Sequence, residues 1–190
     1  MDKQPLVTAV VTTYKRSVEI VKRALSSIVE QTYDNLEIIL VNDCPEEGQL
    51  SNSLRELCEQ FDRNVRYLPM PKNSGANAAR NYGAKNAHGI YIGFLDDDDT
   101  WAREKIALQV QEMNDPNVGI VYGNTWINSE KYHSIKIHYK EKRPEGNLYA
   151  KLFKNNVVGS TSFPLIRKKA FDEVGGFNES VPALQDMELW

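Results

Sequence analysis

The alternation of four continuous apolar runs with amphipathic segments constrains the fold of this 190-residue chain more than any other feature. The runs are LVTAVVTT, LEIILVN, VRYLPM and IYIGFL, which begin at Leu6, Leu36, Val65 and Ile90. Unbroken apolar runs are typical of strands that are buried on both faces, as in a parallel sheet. Between them apolar residues recur at helical spacing, and Ser17 is a candidate N-cap for the first helix. This order predicts a doubly wound α/β domain with a mostly parallel sheet and helices on both faces.

The remaining segments predict a small β/α subregion at the C-terminal end. Helices are expected over Gly75–His88 and Trp101–Met113, and VGIVYG begins a further strand. The charged stretch Thr125–Asn147 fits either a strand pair on the sheet edge or a mobile flap. Beyond it, SFPLIRKKAFDEVGGF predicts a short strand and a helix that stops at a Gly-Gly pair, and ALQDMELW predicts the start of a helix.

Four adjacent aspartates, Asp96–Asp99, directly follow the fourth apolar run. In open α/β sheets ligands bind beyond the carboxyl ends of the strands, so this position is a candidate site. Adjacent carboxylates repel one another, and a divalent cation removes that repulsion. Oxygen ligands favour Mg²⁺ or Mn²⁺ over zinc. A solvated acidic turn that leads into a helix N-terminus is the alternative interpretation.

Two other strand ends carry polar side chains that suit a ligand. Asp43 follows the second run, where a carboxylate often binds a ribose or a base N–H, although a turn-forming aspartate before Pro45 fits equally well. The first run ends in Thr12–Arg16 (TTYKR), whose hydroxyls, aromatic ring and two cations suit a nucleotide. Most loops of this composition are simply polar surface.

The segment NSGANAARN, residues 73–81, is rich in small residues. Gly75 and the alanines permit close backbone approach and Arg80 is able to reach a diphosphate, but a tightly packed helix explains the small residues as well. The chain has neither a Walker A lysine loop nor a G-x-G-x-x-G fingerprint, and its three histidines form no ligand set. Kinase and dehydrogenase functions therefore lose their main support.

Five blocks, in this order, resemble the family 2 glycosyltransferases, which have the GT-A fold. The blocks are VTAVVTTYKR, SIVEQTYDNLEIILVND, NSGANAARNYGAKNAHGIYIGFLDDDDTW, GSTSFPLIRKKAFDEVGGFNE and LQDMELW. The resemblance implies one catalytic domain over residues 1–190 with a Rossmann-like GT-A sheet. Within it, residues 1–123 would be a nucleotide-binding half and residues 124–190 a partial acceptor-side half.

The resemblance also implies roles for individual residues. The residues that bind the nucleotide-sugar would be Thr12, Tyr14, Asp43, Arg80, Asp96 and Asp97. Among them Asp43 would recognise the base, which is typically uracil, and Asp96 would face the ribose. Asp98 would hold Mn²⁺ or Mg²⁺ against the diphosphate, and Asp186 would be the catalytic base.

The chain departs from the family pattern at three places. Asn42 stands where the family often has Asp, and Cys44-Pro45 replaces the common Gly-Ser, which affects the nucleotide preference of that loop. The chain ends at Trp190, four residues after Asp186. Helices average about 11–12 residues, so we expect this last helix to be incomplete and the chain to be a truncated transferase.

These implications predict a metal-dependent glycosyltransferase. It would move a sugar from a nucleoside-diphosphate sugar, expected to be a UDP-sugar, to a hydroxyl of a saccharide, lipid-linked or other acceptor, with inversion, in polysaccharide or glycoconjugate synthesis. A nucleotidyltransferase is one alternative, but it would need a glycine-rich loop after the first strand, and TTYKRSVE has no glycine. A non-catalytic nucleotide-sugar-binding fragment is the other.

The composition bears on partners and location. Hydrophobic residues make up 41% of the chain and the net charge is −3, so no overall basic field is available for nucleic acid or anionic lipid. No apolar run approaches the roughly 20 residues that span a bilayer. The two cysteines, Cys44 and Cys58, have no metal-ligand spacing. We expect a cytoplasmic protein, with peripheral attachment at the inner face of the membrane as the alternative.

Overall fold

The computed structural model describes residues 4–127, 135–136, 143–181 and 185–190. The strands are β1 (Val7–Thr13), β2 (Leu36–Asn42), β3 (Val65–Pro69), β4 (Tyr91–Asp96), β5 (Ile120–Val121), β6 (Trp126–Ile127), β7 (Ile135–Lys136) and β8 (Leu165–Arg167). The helices are α1 (Val18–Val29), α2 (Gly48–Glu59), α3 (Ala76–Lys85), α4 (Lys105–Glu112), α5 (Tyr149–Leu152), α6 (Lys168–Glu173) and α7 (Gln185–Leu189).

The central sheet has six strands in the order β3-β2-β1-β4-β8-β5. Strands β1 to β4 pair in parallel, as the continuous apolar runs predict, and β8 pairs antiparallel with both β4 and β5. Thr12 pairs with Asp96 and Thr13 with Asn42, so the carboxyl ends of β1, β2 and β4 lie at one edge of the sheet. This register brings together the residues that follow these three strands.

Two apolar clusters cover the two faces of the sheet. On one face Val7, Ala9 and Val11 of β1 share a cluster with buried residues of α1, α2 and α4. On the other face Val10 of β1 shares a cluster with buried residues of α3 and α6. Alternate residues of a strand point to opposite faces, so β1 is buried on both sides. The predicted doubly wound arrangement is confirmed.

An aromatic trio joins the C-terminal segments to the second face. Phe94 of β4 lies 5.5 Å from Phe171 of α6 and 5.2 Å from Phe177, measured between ring centroids, and the two latter rings are 5.7 Å apart. All three side chains are buried. Tilted and edge-on aromatic pairs add stabilisation beyond their buried area. The trio fixes α6 and the chain after it against the sheet.

Three local expectations need adjustment. Helix α4 begins at Lys105 rather than at Trp101, because the Trp101 indole turns inward over Gly93 and donates a 2.8 Å hydrogen bond to the Ser162 carbonyl. Ser17 is the N-cap of α1, but its side chain makes no capping hydrogen bond. Within Thr125–Asn147, β6 and β7 form a two-stranded sheet of their own instead of extending the central sheet; residues 128–134 and 137–142 lie outside the described residues.

Candidate functional site

A cavity of about 550 Å³ opens at the carboxyl edge of β1, β2 and β4. Seven of the eight site residues predicted from the sequence line it, namely Thr12, Tyr14, Asp43, Arg80, Asp96, Asp97 and Asp98. The remaining walls include the start of α3, where Gly75 takes a φ of +91° that a residue with a side chain rarely adopts. The cavity therefore lies at the edge of the sheet where the strand-end rule expects a ligand.

Asp96 is held by a cation from α3 and by a hydroxyl from the segment before β8. Arg80 Nη2 lies 2.7 Å from Asp96 Oδ1, and Thr161 Oγ1 donates to Asp96 Oδ2 at 3.1 Å. The Arg80 side chain is only 9% exposed and its guanidinium also lies 5.4 Å from the centroid of the Phe177 ring. Arg80 therefore links α3, the end of β4 and the C-terminal segment at the floor of the cavity.

Asp97 is buried and its two carboxylate oxygens are bound by the loop that follows β1. Thr13 Oγ1 donates to Asp97 Oδ2 at 2.7 Å, and Arg16 Nε donates to Asp97 Oδ1 at 3.0 Å. Asp98 differs, because its side chain is 55% exposed. Arg16 Nη2 reaches Asp98 Oδ2 at 3.2 Å, and Arg23 Nη2 donates to the Asp98 carbonyl at 2.7 Å. Of these two aspartates, Asp98 is therefore the one whose carboxylate is largely exposed in the cavity.

Asp43 is buried and binds the loop before α3. Its Oδ1 accepts the Ser74 backbone N–H and its Oδ2 accepts the Gly75 backbone N–H, each at 2.8 Å. Gly75 is the N-cap of α3, so the carboxylate also lies at the positive end of that helix dipole. Both bonds go to the loop before α3 and neither goes to the turn at Pro45, so they are not the bonds of a turn-forming aspartate, and Asp43 lies in the cavity wall.

The loop after β1 presents an aromatic ring at the mouth of the cavity. Tyr14 is 50% exposed, and Lys15 Nζ lies 5.5 Å from its ring centroid. Lys15 takes a φ of +51° and forms an ion pair with Glu47 at 3.1 Å. A half-exposed tyrosine beside a cation is a suitable platform for a planar base.

Burial raises the pKa of two groups that directly follow site residues in the chain, Asp99 after Asp98 and Cys44 after Asp43. Desolvation raises the pKa of Asp99, the Asp96 and Asp98 carboxylates raise it further, and the Ser162 hydroxyl opposes the shift. Desolvation also raises the pKa of the buried Cys44 thiol. A higher pKa keeps Cys44 in the neutral, less nucleophilic thiol form.

Asp186 lies in α7 and does not line the cavity. Its Oδ2 accepts a hydrogen bond from Asn156 Nδ2 at 3.0 Å, and Asn156 Oδ1 in turn accepts the Gly159 backbone N–H at 2.8 Å. Trp190 Nε1 donates to the Gly159 carbonyl at 3.1 Å. Two residues after Gly159, Thr161 donates to Asp96, so Asp186 is linked to the segment that holds a residue of the cavity.

The donor atoms at the cavity fit a magnesium-like ion better than a zinc-like ion. Among the described residues, no three His, Cys, Asp or Glu side chains gather into a complete metal-binding set. Mg²⁺ usually takes only one or two carboxylates and completes its shell with water and substrate phosphates. Asp98 is the carboxylate whose exposure suits that arrangement.

Several residues of the site were not predicted. Thr161 and Ser162 hold the end of β4, the latter by accepting the Asp96 backbone N–H at 3.1 Å, and Asn77 Oδ1 accepts Arg80 Nη1 at 3.2 Å. The hydroxyl-rich run GSTS, which ends two residues before β8, was the available sequence signal. The contact between Thr161 and Asp96 could not be derived from the sequence, because the two residues lie 65 positions apart.

A second groove of about 1100 Å³ shares Asp98 with the cavity. Its walls come from α4, the chain after β5 and the residues before β8, and Trp126, at 62% exposure, stands in one of them. A large exposed indole beside a groove is a common surface for apolar or sugar faces. The two openings therefore meet at one carboxylate.

No helix in the described part of the chain is long and apolar enough to cross a membrane.

Residues 8–175 match the family description "Glycosyl transferase family 2". An uncharacterized glycosyltransferase of Rickettsia felis is 33% identical over 98% of this chain and 31% of its own length. The putative teichuronic acid biosynthesis glycosyltransferase TuaG of Bacillus subtilis is 25% identical over 98% of this chain and 71% of its length. An Escherichia coli protein, the UDP-Glc:alpha-D-GlcNAc-diphosphoundecaprenol beta-1,3-glucosyltransferase WfgD, is 31% identical over 77% of this chain and 55% of its length.

Solved structures show the same fold. The mannosyltransferase PcManGT of Pyrobaculum calidifontis, in complex with GDP-Man and Mn²⁺, superposes with a TM-score of 0.72 and 21% identity over 99% of this chain and 51% of its own. TarS of S. aureus in complex with UDP-GlcNAc gives a TM-score of 0.74 and 18% identity over 97% of this chain and 52% of its own.

The chain spans about a third of the Rickettsia relative and about half of these two structures. The family match nevertheless covers most of the chain, from β1 to the end of α6. The GT-A fold predicted from the sequence is therefore confirmed, and this chain belongs to glycosyl transferase family 2.

Proposed function

We propose that this chain is the donor-binding and catalytic part of a glycosyltransferase that uses a nucleoside-diphosphate sugar, with a UDP-sugar as the preferred donor. The observation that carries the proposal is the meeting of seven predicted site residues around one cavity at the carboxyl edge of a GT-A sheet. Structures of the same fold were solved with GDP-Man and with UDP-GlcNAc, which supports a nucleotide-sugar in this position.

The donor would lie across the cavity with its base near Asp43 and Tyr14. A carboxylate oxygen has two lone pairs, so Asp43 is able to accept a base N–H while it keeps the backbone N–H groups of Ser74 and Gly75. Arg80 would face the diphosphate of the donor. Asp96, which Arg80 holds by a hydrogen bond, would face the ribose. The buried contacts fix these side chains before the donor arrives, which lowers the entropic cost of binding.

Asp98 is the proposed metal ligand, for Mn²⁺ or Mg²⁺. A divalent ion at this position would neutralise the charge that develops on the leaving diphosphate. The exposure of Asp98 and the use of Asp97 by Thr13 and Arg16 support the choice of Asp98 over its neighbour.

Asp186 is the proposed catalytic base, which would take the proton from the acceptor hydroxyl while that oxygen attacks the anomeric carbon with inversion. Such a role contributes on the order of 10²–10⁴ in rate. The hydrogen bond from Asn156 would orient the carboxylate. Asp186 lines neither the donor cavity nor the second groove, but Asn156 and Gly159 connect it to Ser160, which lines the second groove, and this connection would bring its carboxylate toward an acceptor.

The groove that shares Asp98 with the donor cavity is the proposed acceptor path. Trp126 and the other groove residues would contact a saccharide or a lipid-linked saccharide. The printed names of TuaG and WfgD, which concern teichuronic acid synthesis and a diphosphoundecaprenol-linked sugar, support an acceptor in polysaccharide or glycoconjugate synthesis.

Calorimetric titration with UDP, with and without Mn²⁺, tests the donor site. We expect binding that depends on the metal in the parent chain and in an Asp62→Ala control, whose carboxylate is exposed. Asp98→Ala should lose the metal-dependent part, and equal affinities in Asp98→Ala and the parent would refute the metal assignment. Asp186→Asn should keep UDP binding and lose sugar transfer; undiminished transfer would refute the role of Asp186.

A further inference from the structure

The two cations of the loop after β1 point in opposite directions. Lys15, at a φ of +51°, turns toward the loop after β2 and pairs with Glu47 at 3.1 Å. Arg16 turns toward the loop after β4, where it reaches both Asp97 and Asp98. A non-glycine residue at positive φ is uncommon and persists only where its surroundings hold it. The kink at Lys15 thus places the Arg16 guanidinium between two adjacent aspartates.

The two ends of the Arg16 guanidinium are held unequally. The Nε end donates to Asp97 at 3.0 Å, and the Asp97 side chain is 9% exposed and also binds Thr13. The Nη2 end reaches Asp98 at 3.2 Å, and the Asp98 side chain is 55% exposed. Ion pairs in solvent are weak and those protected from it are stronger. The ion pair of Arg16 with Asp97 is therefore the stronger of the two, and the ion pair with Asp98 is the one that breaks more easily.

We propose that Arg16 is a positioning residue that acts as a substitute cation for Asp98 in the ligand-free chain and turns to the donor diphosphate when a divalent ion takes Asp98. The inference rests on the proposed function. The Nε bond to Asp97 stays in place as a pivot, and the Nη2 end exchanges a carboxylate for a phosphate oxygen.

Charge balance and shape support this exchange. Without a ligand, Arg16 neutralises part of the repulsion between the Asp97 and Asp98 carboxylates, which holds Asp98 in place. A divalent ion and a guanidinium are both positive and compete for the same Asp98 carboxylate, so the ion displaces the weaker end of Arg16. Arg16 lines the same cavity as the proposed diphosphate position, and a planar guanidinium binds phosphate oxygens in pairs.

The test is a pair of titrations on Arg16→Gln and on Arg103→Gln, a control arginine that is exposed in the turn before α4. In the first titration Mn²⁺ alone is added, and its binding is followed by the loss of the free-ion electron paramagnetic resonance signal. Removal of the competing cation should tighten Mn²⁺ binding by about two- to five-fold, the range of a partly exposed ion pair. In the second, UDP is added at saturating Mn²⁺, and affinity should fall by about ten-fold or more, because a charged hydrogen bond to phosphate is lost.

Tighter Mn²⁺ binding together with weaker UDP binding by Arg16→Gln would identify Arg16 as a substitute cation. Weaker binding of both Mn²⁺ and UDP by Arg16→Gln would mean that Arg16 only supports the local structure, and this would overturn the inference. Unchanged binding of both would overturn it as well, while UDP binding by the parent would leave the proposed function standing. If the parent itself bound no nucleoside diphosphate with Mn²⁺, the proposed function and this inference would both fall.

Arg16→Lys separates charge from shape. The ammonium is a single point charge and is not able to keep Asp97 while it reaches a phosphate. We expect Arg16→Lys to restore parental Mn²⁺ affinity and to leave UDP binding weak. Full restoration of UDP affinity by lysine would contradict the pivot, because it would show that a cation without the two-ended geometry is sufficient.

Discussion

The substitution Asp43→Asn should destabilise the chain because of the two backbone groups that this carboxylate holds. Both oxygens accept backbone N–H groups at 2.8 Å, from Ser74 and Gly75, and the side chain is 3% exposed. An amide has one oxygen, so one bond is kept, while the amide N–H₂ is turned toward the second backbone N–H. The substitution therefore removes one charged hydrogen bond and leaves a buried donor facing another donor.

The expected loss follows from those two effects. A hydrogen bond to a charged group contributes about 1.5–3 kcal/mol, and an unsatisfied buried donor costs a similar amount, so with partial relaxation of the loop we expect about 2–3 kcal/mol. For a chain of this size each kcal/mol lowers the melting temperature by about 2–4 °C, which gives a fall of about 4–12 °C.

Thermal unfolding followed by circular dichroism at pH 7 measures this loss. Asp62→Asn is the matched control, because Asp62 is exposed and the same chemical change there should leave the melting temperature within about 1 °C of the parent. A melting temperature of Asp43→Asn equal to that of the control would refute the argument that Asp43 holds the start of α3. The position of Gly75 in the cavity wall would then need another explanation.

Three further predictions concern packing, proton affinity and the second groove. Gly83→Ala should destabilise the chain by about 1–3 kcal/mol in urea unfolding, because the added Cβ would collide with Val10 of β1. Gly48→Ala is the control: no atom lies within 4 Å of a Cβ at that position, so the substitution should be neutral or stabilising. Asp99→Asn should stabilise the folded state at pH 7, because the pKa of Asp99 is raised in the folded chain and the native chain binds its proton more tightly than the unfolded chain. The stability of the parent therefore falls as the pH rises from the ordinary aspartate pKa of 3.8 through the folded-state pKa. The advantage of Asp99→Asn should therefore shrink as the pH is lowered toward 3.8, in denaturation curves at several pH values. Trp126→Ala should raise the KM for the acceptor and leave the UDP affinity unchanged, as measured by transfer kinetics and calorimetry.

Contrary results would be informative for each. Equal stability of Gly83→Ala and Gly48→Ala would mean that α3 and the sheet separate easily. A stabilisation by Asp99→Asn that did not depend on pH would show that the raised pKa is not its cause. A loss of UDP affinity in Trp126→Ala would place the indole at the donor cavity instead of the second groove.

The elements that the sequence predicted well are those whose signal is local. The four long apolar runs became β1 to β4, because burial on both faces leaves a continuous apolar run. The segments of helical spacing between them became α1, α2 and α3, because burial on one face leaves a helical period. The cavity followed from the same information, since parallel strands end at one edge of the sheet.

The features that the sequence did not predict depend on distant contacts. The short strand β8 was expected, but its place between β4 and β5 was not, because it is set by pairing with residues more than 70 positions away in β4 and more than 40 positions away in β5. The inward turn of Trp101 depends on the absence of a side chain at Gly93 and on the Ser162 carbonyl. Asp186 was assigned only through resemblance, and its contact with Asn156 has no signature in the sequence.

The position of β8 has a consequence for synthesis on the ribosome. Because β5 pairs with β8 and β8 pairs with β4, the sheet is not complete until Leu165–Arg167 has left the exit tunnel. Until then the edge of β4, whose residues from Tyr91 to Leu95 are all buried in the finished fold, is an open, apolar template for other strands. A nascent chain of the first 123 residues would therefore carry most of the cavity walls and still be prone to aggregate. We expect rapid synthesis or a bound chaperone over that interval to protect the β4 edge, and slow codons placed between residues 123 and 165 should lower the soluble yield.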